Sequence, residues 1–176
     1  LALALGFTLA LQLGSALHAF FAADLQVARS LAERQEIARD SLATHGLAGA
    51  IDPDRLPGAA DALRAWAESR FGRITAWHTE WPLRWLRSLE GHPRLLVGEA
   101  DLVLETPAGL VVVDHKSFPG GAEQRDQRVR HYAGQLAAYR DTLEAATGKP
   151  VLGMFVHFAI RGEVVGVVVN ELELAR

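Results

Sequence analysis

The spacing of apolar and polar positions divides the chain into a helical first part, residues 1–75, and a strand-rich second part, residues 76–176. Residues 1–23, LALALGFTLALQLGSALHAFFAA, are apolar over about the length of a membrane-spanning helix. Gln12, Ser15 and His18 interrupt the run, and no basic flank or aromatic and cationic anchors frame it. It therefore reads as a buried or half-buried helix of a soluble protein, without the positive n-region of a secretory signal. From Asp24 to Thr44, Leu25, Ala28, Leu31, Ala32, Ile37 and Leu42 recur at intervals of about three to five. This spacing predicts one amphipathic helix, capped by Asp24 and closed by Gly46. The stretch IDPDRLPG, residues 51–58, reads as a connection. Residues 59–72 then read as a shorter helix with Leu63 and Trp66 inward and Gly72 at its end.

Beyond Gly72 the texture becomes that of strands. ITAWHTEWPLRWL can be extended, with Pro82 pointing to an edge or a bulge, and RLLVGEADLVLET alternates more clearly. PAG turns the chain into LVVVDHK, a short apolar strand, and SFPGGAEQRD follows as a loop. Residues 127–147 are strongly helical and stop at Gly148 and Pro150. VLGMFVHFAI and GEVVGVVVN supply two last strands around an Arg161-Gly162 turn. The order is helices, then β-β-β-α-β-β, which predicts an α/β fold: a small mixed central sheet flanked by helices, with an N-terminal helical portion.

Length and composition narrow the function classes. A chain of 176 residues, 49% hydrophobic, suits one domain with a proper core. A net charge of −3 offers no global positive field for nucleic acid, so an anionic substrate has to be held by local groups. The chain has no cysteine, which excludes disulfides, thiol nucleophiles, zinc–thiolate sites and an iron–sulfur cluster. An intracellular setting is the default expectation, and the abrupt apolar start suggests a piece of a longer polypeptide.

Chemistry concentrates at VVVDHKSF, residues 111–118, where Asp114 and Lys116 stand at the end of an apolar strand. Asp101 lies on the preceding strand across a tight TPAG turn, so a hairpin can bring the two carboxylates together. Adjacent carboxylates repel unless a cation sits between them. Oxygen ligands of this kind suit Mg²⁺ or Mn²⁺. Side chains two apart on a strand share a face, so Lys116 can stand beside such an ion, where it could position a water or offset charge on a phosphate. Taken alone, an Asp-x-Lys at a strand end is more often a surface ion pair.

With its neighbours, GEADLVLETPAGLVVVDHKS resembles the core of the PD-(D/E)XK nucleases in their RecB-like and AddA-like helicase–nuclease form. Those families read Gly-x-ϕ-Asp, a hairpin, then Asp-Tyr-Lys-Ser/Thr; here Gly98, Asp101, Asp114, His115, Lys116 and Ser117 stand in that order, with histidine for the usual tyrosine. A Gln-x-x-x-Tyr element is matched by Gln135 and Tyr139, whose spacing of four puts both on one helical face. A Gly-x-x-x-His element is matched by Gly14 and His18, although a lone histidine on an apolar helix is usually a satisfied core residue. Glu80 and Pro82 give a weaker echo of Glu-x-Pro-ϕ, where a surface carboxylate would serve equally.

The resemblance implies a restriction-endonuclease-like fold and an Mg²⁺-dependent deoxyribonuclease, an exonuclease acting at DNA ends in double-strand break repair and recombination. His18, Asp101, Asp114 and the backbone carbonyl of His115 would hold the ion; Lys116 would orient water or stabilise charge on phosphorus. Gln135 and Tyr139 would position substrate or the lysine, and Arg125 and Arg128, with Arg130 and Arg140, are the nearest DNA-binding cations. No Walker A sequence is present, so a helicase motor, and a second helicase–nuclease subunit, would lie elsewhere. The setting implied is the bacterial cytoplasm, with DNA and no membrane as partner. The competing reading keeps the fold without the chemistry: a DNA-binding or scaffold module of a recombination complex.

Overall fold

Four helices and five strands follow one another in the order α1 (Ala2–Asp24), α2 (Leu31–Thr44), α3 (Arg55–Phe71), β1 (Ala76–Leu89), β2 (His92–Thr106), β3 (Gly109–Lys116), α4 (Ala122–Thr147), β4 (Val151–Phe158) and β5 (Glu163–Gly166). The structure, a computed structural model, describes residues 2–89, 92–118 and 122–168. The predicted strand residues Val169 and Asn170 lie outside them.

The sheet order is β1-β2-β3-β4-β5. β1, β2 and β3 are antiparallel neighbours, β3 and β4 run parallel, and β5 returns antiparallel. The parallel pair requires a crossover, which α4 supplies. The expected mixed sheet is therefore present, and Pro82 sits on edge strand β1, where a missing N–H costs no ladder bond.

Each face of the sheet is covered. Leu102, Leu104, Val111, Val113 and Phe155 meet Phe20, Phe21, Leu42 and Leu63 from the first three helices. Val103, Leu110, Val112, Val156 and Phe158 meet Leu136 and Leu143, one heptad apart on α4. β3 is buried from Gly109 through His115, as a central strand with both faces covered should be. Burying a leucine or phenylalanine fully is worth roughly 1.5–3 kcal/mol, so these two layers dominate stability. Among the described residues no helix is long and apolar enough to cross a membrane, and Leu17, Phe20 and Phe21 of α1 are buried in the core.

Three expected boundaries are corrected. The predicted helix from Asp24 to Thr44 is instead the end of α1, a link, and α2. Ser30 caps α2: its side chain accepts from the Glu33 N–H while Glu33 reaches back to the Ser30 N–H, a capping box that starts a helix at Leu31. Leu31, expected inside, is 60% exposed. Asp24 caps nothing and is fully buried at the end of α1, bound by Arg34 and Arg64. α3 begins at Arg55, inside the stretch read as a connection, because Pro57 is well tolerated in a first turn. α4 begins at Ala122 rather than Gln127.

Candidate functional site

The β2–β3 ladder runs from Thr106↔Gly109 to Leu102↔Val113. β2 then continues against β1 alone and β3 against β4, which opens a notch in the sheet. Asp101 and Asp114 stand at the first positions past the last pair. In the notch the His115 N–H has lost its ladder partner and donates instead to Asp101 Oδ2 at 2.7 Å. The carboxylate thereby replaces a backbone acceptor and ties the two strands at the point where they part.

Asp114 is 2% exposed, and Lys116, two residues on, shares its face, with Nζ 2.6 Å from Asp114 Oδ2. Their contact is an ion pair without the alignment of a hydrogen bond, leaving Oδ2 unbonded in that sense. Burial, then the charge of Asp101, pushes the Asp114 carboxyl up to about 6, against the pull of Lys116 and His18. Burial also disfavours the Lys116 charge, but the Asp114 carboxylate outweighs it and holds the ammonium above its usual value. One ammonium does not offset two carboxylates in so dry a place, which is the electrostatic demand a divalent cation meets.

α1 brings His18 to the same spot. Its Nε2 donates to the carbonyl of His115 at 2.8 Å, and its Nδ1 lies 3.8 Å from Asp101 Oδ1. The close approach depends on Gly14, since a Cβ there would fall 2.2 Å from Ser117 Oγ and 2.9 Å from Ser117 Cβ. Gly-x-x-x-His is thus a packing device: the glycine seats the helix against the end of the lysine strand, and the histidine one turn on reaches the notch. His18, Glu80, His115 and Lys116 line one cleft of about 450 Å³. Glu80 enters with φ 51°, a left-handed conformation uncommon for a non-glycine residue.

The chemistry of these donors fits a divalent cation: two carboxylates, a carbonyl and an imidazole, with a buried carboxylate oxygen short of partners. As they stand, two expected ligands, His18 and the His115 carbonyl, bond to each other, and among the described residues no three His, Asp or Glu side chains already form a cage.

Not every expected residue joins the cleft. Gln135 and Tyr139 share a helical face, and Gln135 Nε2 donates to the Tyr139 hydroxyl at 2.7 Å. They line a different cleft with Leu83, Trp85 and Gly98. A Cβ on Gly98 would come within 3.2 Å of the Tyr139 ring, so the glycine of one motif seats the tyrosine of the other. The aromatic ring beside Lys116 is Tyr132, with Nζ 5.0 Å from its centroid, a cation–π contact sequence reasoning missed. Its position three residues after buried Val129 would have placed it beside the inner stripe of α4. Arg125 is ion-paired to Glu163, so its charge is shared. Arg128 lies over the Phe118 ring at 4.1 Å, just beyond Lys116, and Arg140 pairs with Asp141.

The side chain of His115, which replaces the expected tyrosine, faces away from the notch. It lies 4.9 Å from the Phe21 ring and shares a 2.9 Å hydrogen bond between its Nδ1 and His157 Nδ1. Burial lowers both: His115 falls well below the usual histidine range and His157 to about 4. Both are neutral behind the strand, and only the His115 carbonyl reaches the notch.

The family described as the PD-(D/E)XK nuclease superfamily matches residues 3–173. Among curated proteins, one of the two kinds of subunit of an ATP-dependent helicase/nuclease, from Levilactobacillus brevis, is 32% identical over 77 residues, 42% of this chain and 6% of that protein. Its counterpart from Anoxybacillus flavithermus is 32% identical over 90 residues, 50% of this chain and 7% of its own length. The aligned stretches thus span a small fraction of these relatives.

Proposed function

Because the chain belongs to the PD-(D/E)XK nuclease superfamily, we propose that it is a metal-dependent DNA nuclease domain that hydrolyses phosphodiester bonds at DNA ends in double-strand break repair and recombination. Its five-stranded mixed sheet with helices on both faces is the restriction-endonuclease-like architecture of that superfamily. Residues 1–75 form the helical part of one nuclease domain and residues 76–176 its catalytic core, within a longer bacterial, cytoplasmic helicase–nuclease. A helicase motor in the same polypeptide, working with a second subunit, feeds it single strands; the relatives' names, which join helicase and nuclease, support this.

The observation that carries the reading is the notch past Leu102↔Val113, where Asp101, Asp114, Lys116 and His18 converge. His18, Asp101, Asp114 and the His115 carbonyl would hold Mg²⁺ or Mn²⁺, which when bound supplies Lewis acidity to the phosphate and an acidified water. Lys116, kept charged by Asp114, faces the developing charge on phosphorus and orients the attacking water. Asp101 holds the two strands in register through the His115 N–H. Tyr132 limits where the lysine ammonium can move. The Gln135–Tyr139 pair and Arg128 guide the strand outside the cleft. The competing reading, an inactive nuclease-fold module, draws on the His18–His115 hydrogen bond, which occupies two expected ligands.

The test is cleavage of end-labelled linear single- and double-stranded DNA with Mg²⁺, Mn²⁺ or EDTA. Metal-dependent cleavage by the unaltered chain is expected. Asp114→Asn abolishes it with the fold intact by circular dichroism, and Lys116→Ala lowers it by on the order of 10²–10³-fold. Undiminished metal-dependent cleavage by Asp114→Asn would overturn the assignment.

A further inference from the structure

Two of the four tryptophans, Trp77 and Trp81, flank Glu80 on edge strand β1, four residues apart. Neither is wholly buried: each ring packs partly on the core and also lines a second cleft, of about 400 Å³, with Gln26, His78, Thr79 and Pro82. The His78 and Trp81 rings meet edge to face at 4.5 Å, and His78 Nε2 lies 3.2 Å from Glu105 Oε2, which holds the imidazole in place. The cleft is within the roughly 300–1,000 Å³ range of small-ligand sites.

This cleft shares a wall with the one that holds Lys116. Glu80, with its left-handed φ of 51°, lines the Lys116 cleft, while Thr79 and Trp81 on either side of it line the aromatic one. The Thr79 hydroxyl donates to the Ala22 carbonyl at 2.9 Å and accepts from Gln26, so the floor is tied to α1, one turn beyond His18. The two clefts are thus braced by one helix and divided by one residue. A strand rises about 3.4 Å per residue and stacked nucleotides about 3.4 Å each, so the step between clefts is on the scale of one nucleotide.

We propose that the Trp77–Trp81 cleft is a stacking subsite for an unpaired base of the DNA strand whose phosphate lies at Lys116, a proposal that rests on the nuclease reading above. The charge distribution favours this occupant. The chain carries a net charge of −3, and Arg125 and Arg140 near the α4 surface are already engaged by Glu163 and Asp141. Phosphate contacts alone hold a strand weakly under those conditions. Aromatic faces stack any base and supply a grip that neither depends on net charge nor reads sequence. The subsite therefore selects single strands, whose bases can leave the helix axis, over intact duplex.

The experiment reads equilibrium binding of a fluorescently labelled ten-nucleotide oligothymidylate to the unaltered chain in EDTA and low salt, so it does not depend on cleavage. An abasic residue is moved along the oligonucleotide. One position is expected to weaken binding by about 5- to 150-fold, the usual worth of one stacked base. Trp81→Leu, checked for an unchanged unfolding midpoint, weakens the intact oligonucleotide by a similar factor and no longer distinguishes the abasic one. A flat abasic scan, or Trp81→Leu binding as tightly as the parent, overturns the subsite. Tryptophan quenching by an aromatic peptide but not by oligothymidylate would assign the cleft to a protein partner and overturn it too. A chain that passes this test yet never cleaves with Mg²⁺ or Mn²⁺ would lose the nuclease reading and keep the subsite; one that cleaves with a flat scan would do the reverse.

Discussion

Gly14 and Ser117 carry the sharpest steric constraint around the site. Alanine at residue 14 would be favoured by helix propensity by about 1 kcal/mol, yet its methyl group would lie 2.9 Å from Ser117 Cβ. The hydroxyl can rotate away; the Cβ cannot. Gly14→Ala is therefore expected to shift α1 from the strand end and draw His18 off the His115 carbonyl, reducing cleavage about ten-fold or more at a nearly unchanged unfolding midpoint. The Gly14→Ala/Ser117→Gly double variant restores activity, and failure of that rescue in a single-turnover assay would sink the packing account. Tyr132 and His157 act at the same scale, one confining the Lys116 ammonium and the other occupying the inward imidazole of His115.

Asp24 joins the first three helices. It accepts from Arg34 at 2.7 and 3.1 Å, and its backbone carbonyl accepts from Arg64 at 2.7 Å. Arg34 reaches on to the Pro57 carbonyl and Asp61. Removing one member of a buried charge cluster leaves the others uncompensated, typically at a cost of about 3–5 kcal/mol. Asp24→Ala is expected to lose stability on that scale in urea unfolding, whereas Ser30→Ala, which removes only the α2 cap, loses about 1 kcal/mol. Equal losses would mean that Asp24 is not the keystone of the helical layer. This cluster also explains why periodicity misjudged the boundary: the apolar spacing runs smoothly through residues 25–30, while the interruption comes from a capping box and a buried aspartate whose partners are 10 and 40 residues away.

Across the whole molecule, the acidic balance bears on how DNA is held. Arg128 and Arg130 are exposed on α4, so two or three phosphate contacts including Lys116 are available. For a single strand this corresponds to a slope of log K against log salt of about −1.5 to −2. Binding should therefore weaken roughly ten-fold between about 50 and 200 mM salt, measured by fluorescence anisotropy. A slope near zero would mean that phosphates are not what these arginines meet. Weak intrinsic binding also gives a reason for a helicase to deliver the strand, since tethering raises its local concentration without new contacts.

Local spacing was enough to determine much of this protein. The alternation through Val111 to Lys116 puts Asp114 and Lys116 on one face, the TPAG turn brings Asp101 to the adjacent strand, and an interval of four pairs Gln135 with Tyr139. These relations follow from periods of two and 3.6 residues and from tight-turn geometry, which neighbouring residues set among themselves. Tertiary structure alone decided where the β2–β3 ladder stops, that His115 would give its N–H to Asp101 and its ring to His157, that Tyr132 rather than Tyr139 would lie over Lys116, and that Glu80 would divide two clefts. Each depends on elements remote in the chain meeting at one point, and their shapes and charges settle that only when the two layers close on the sheet.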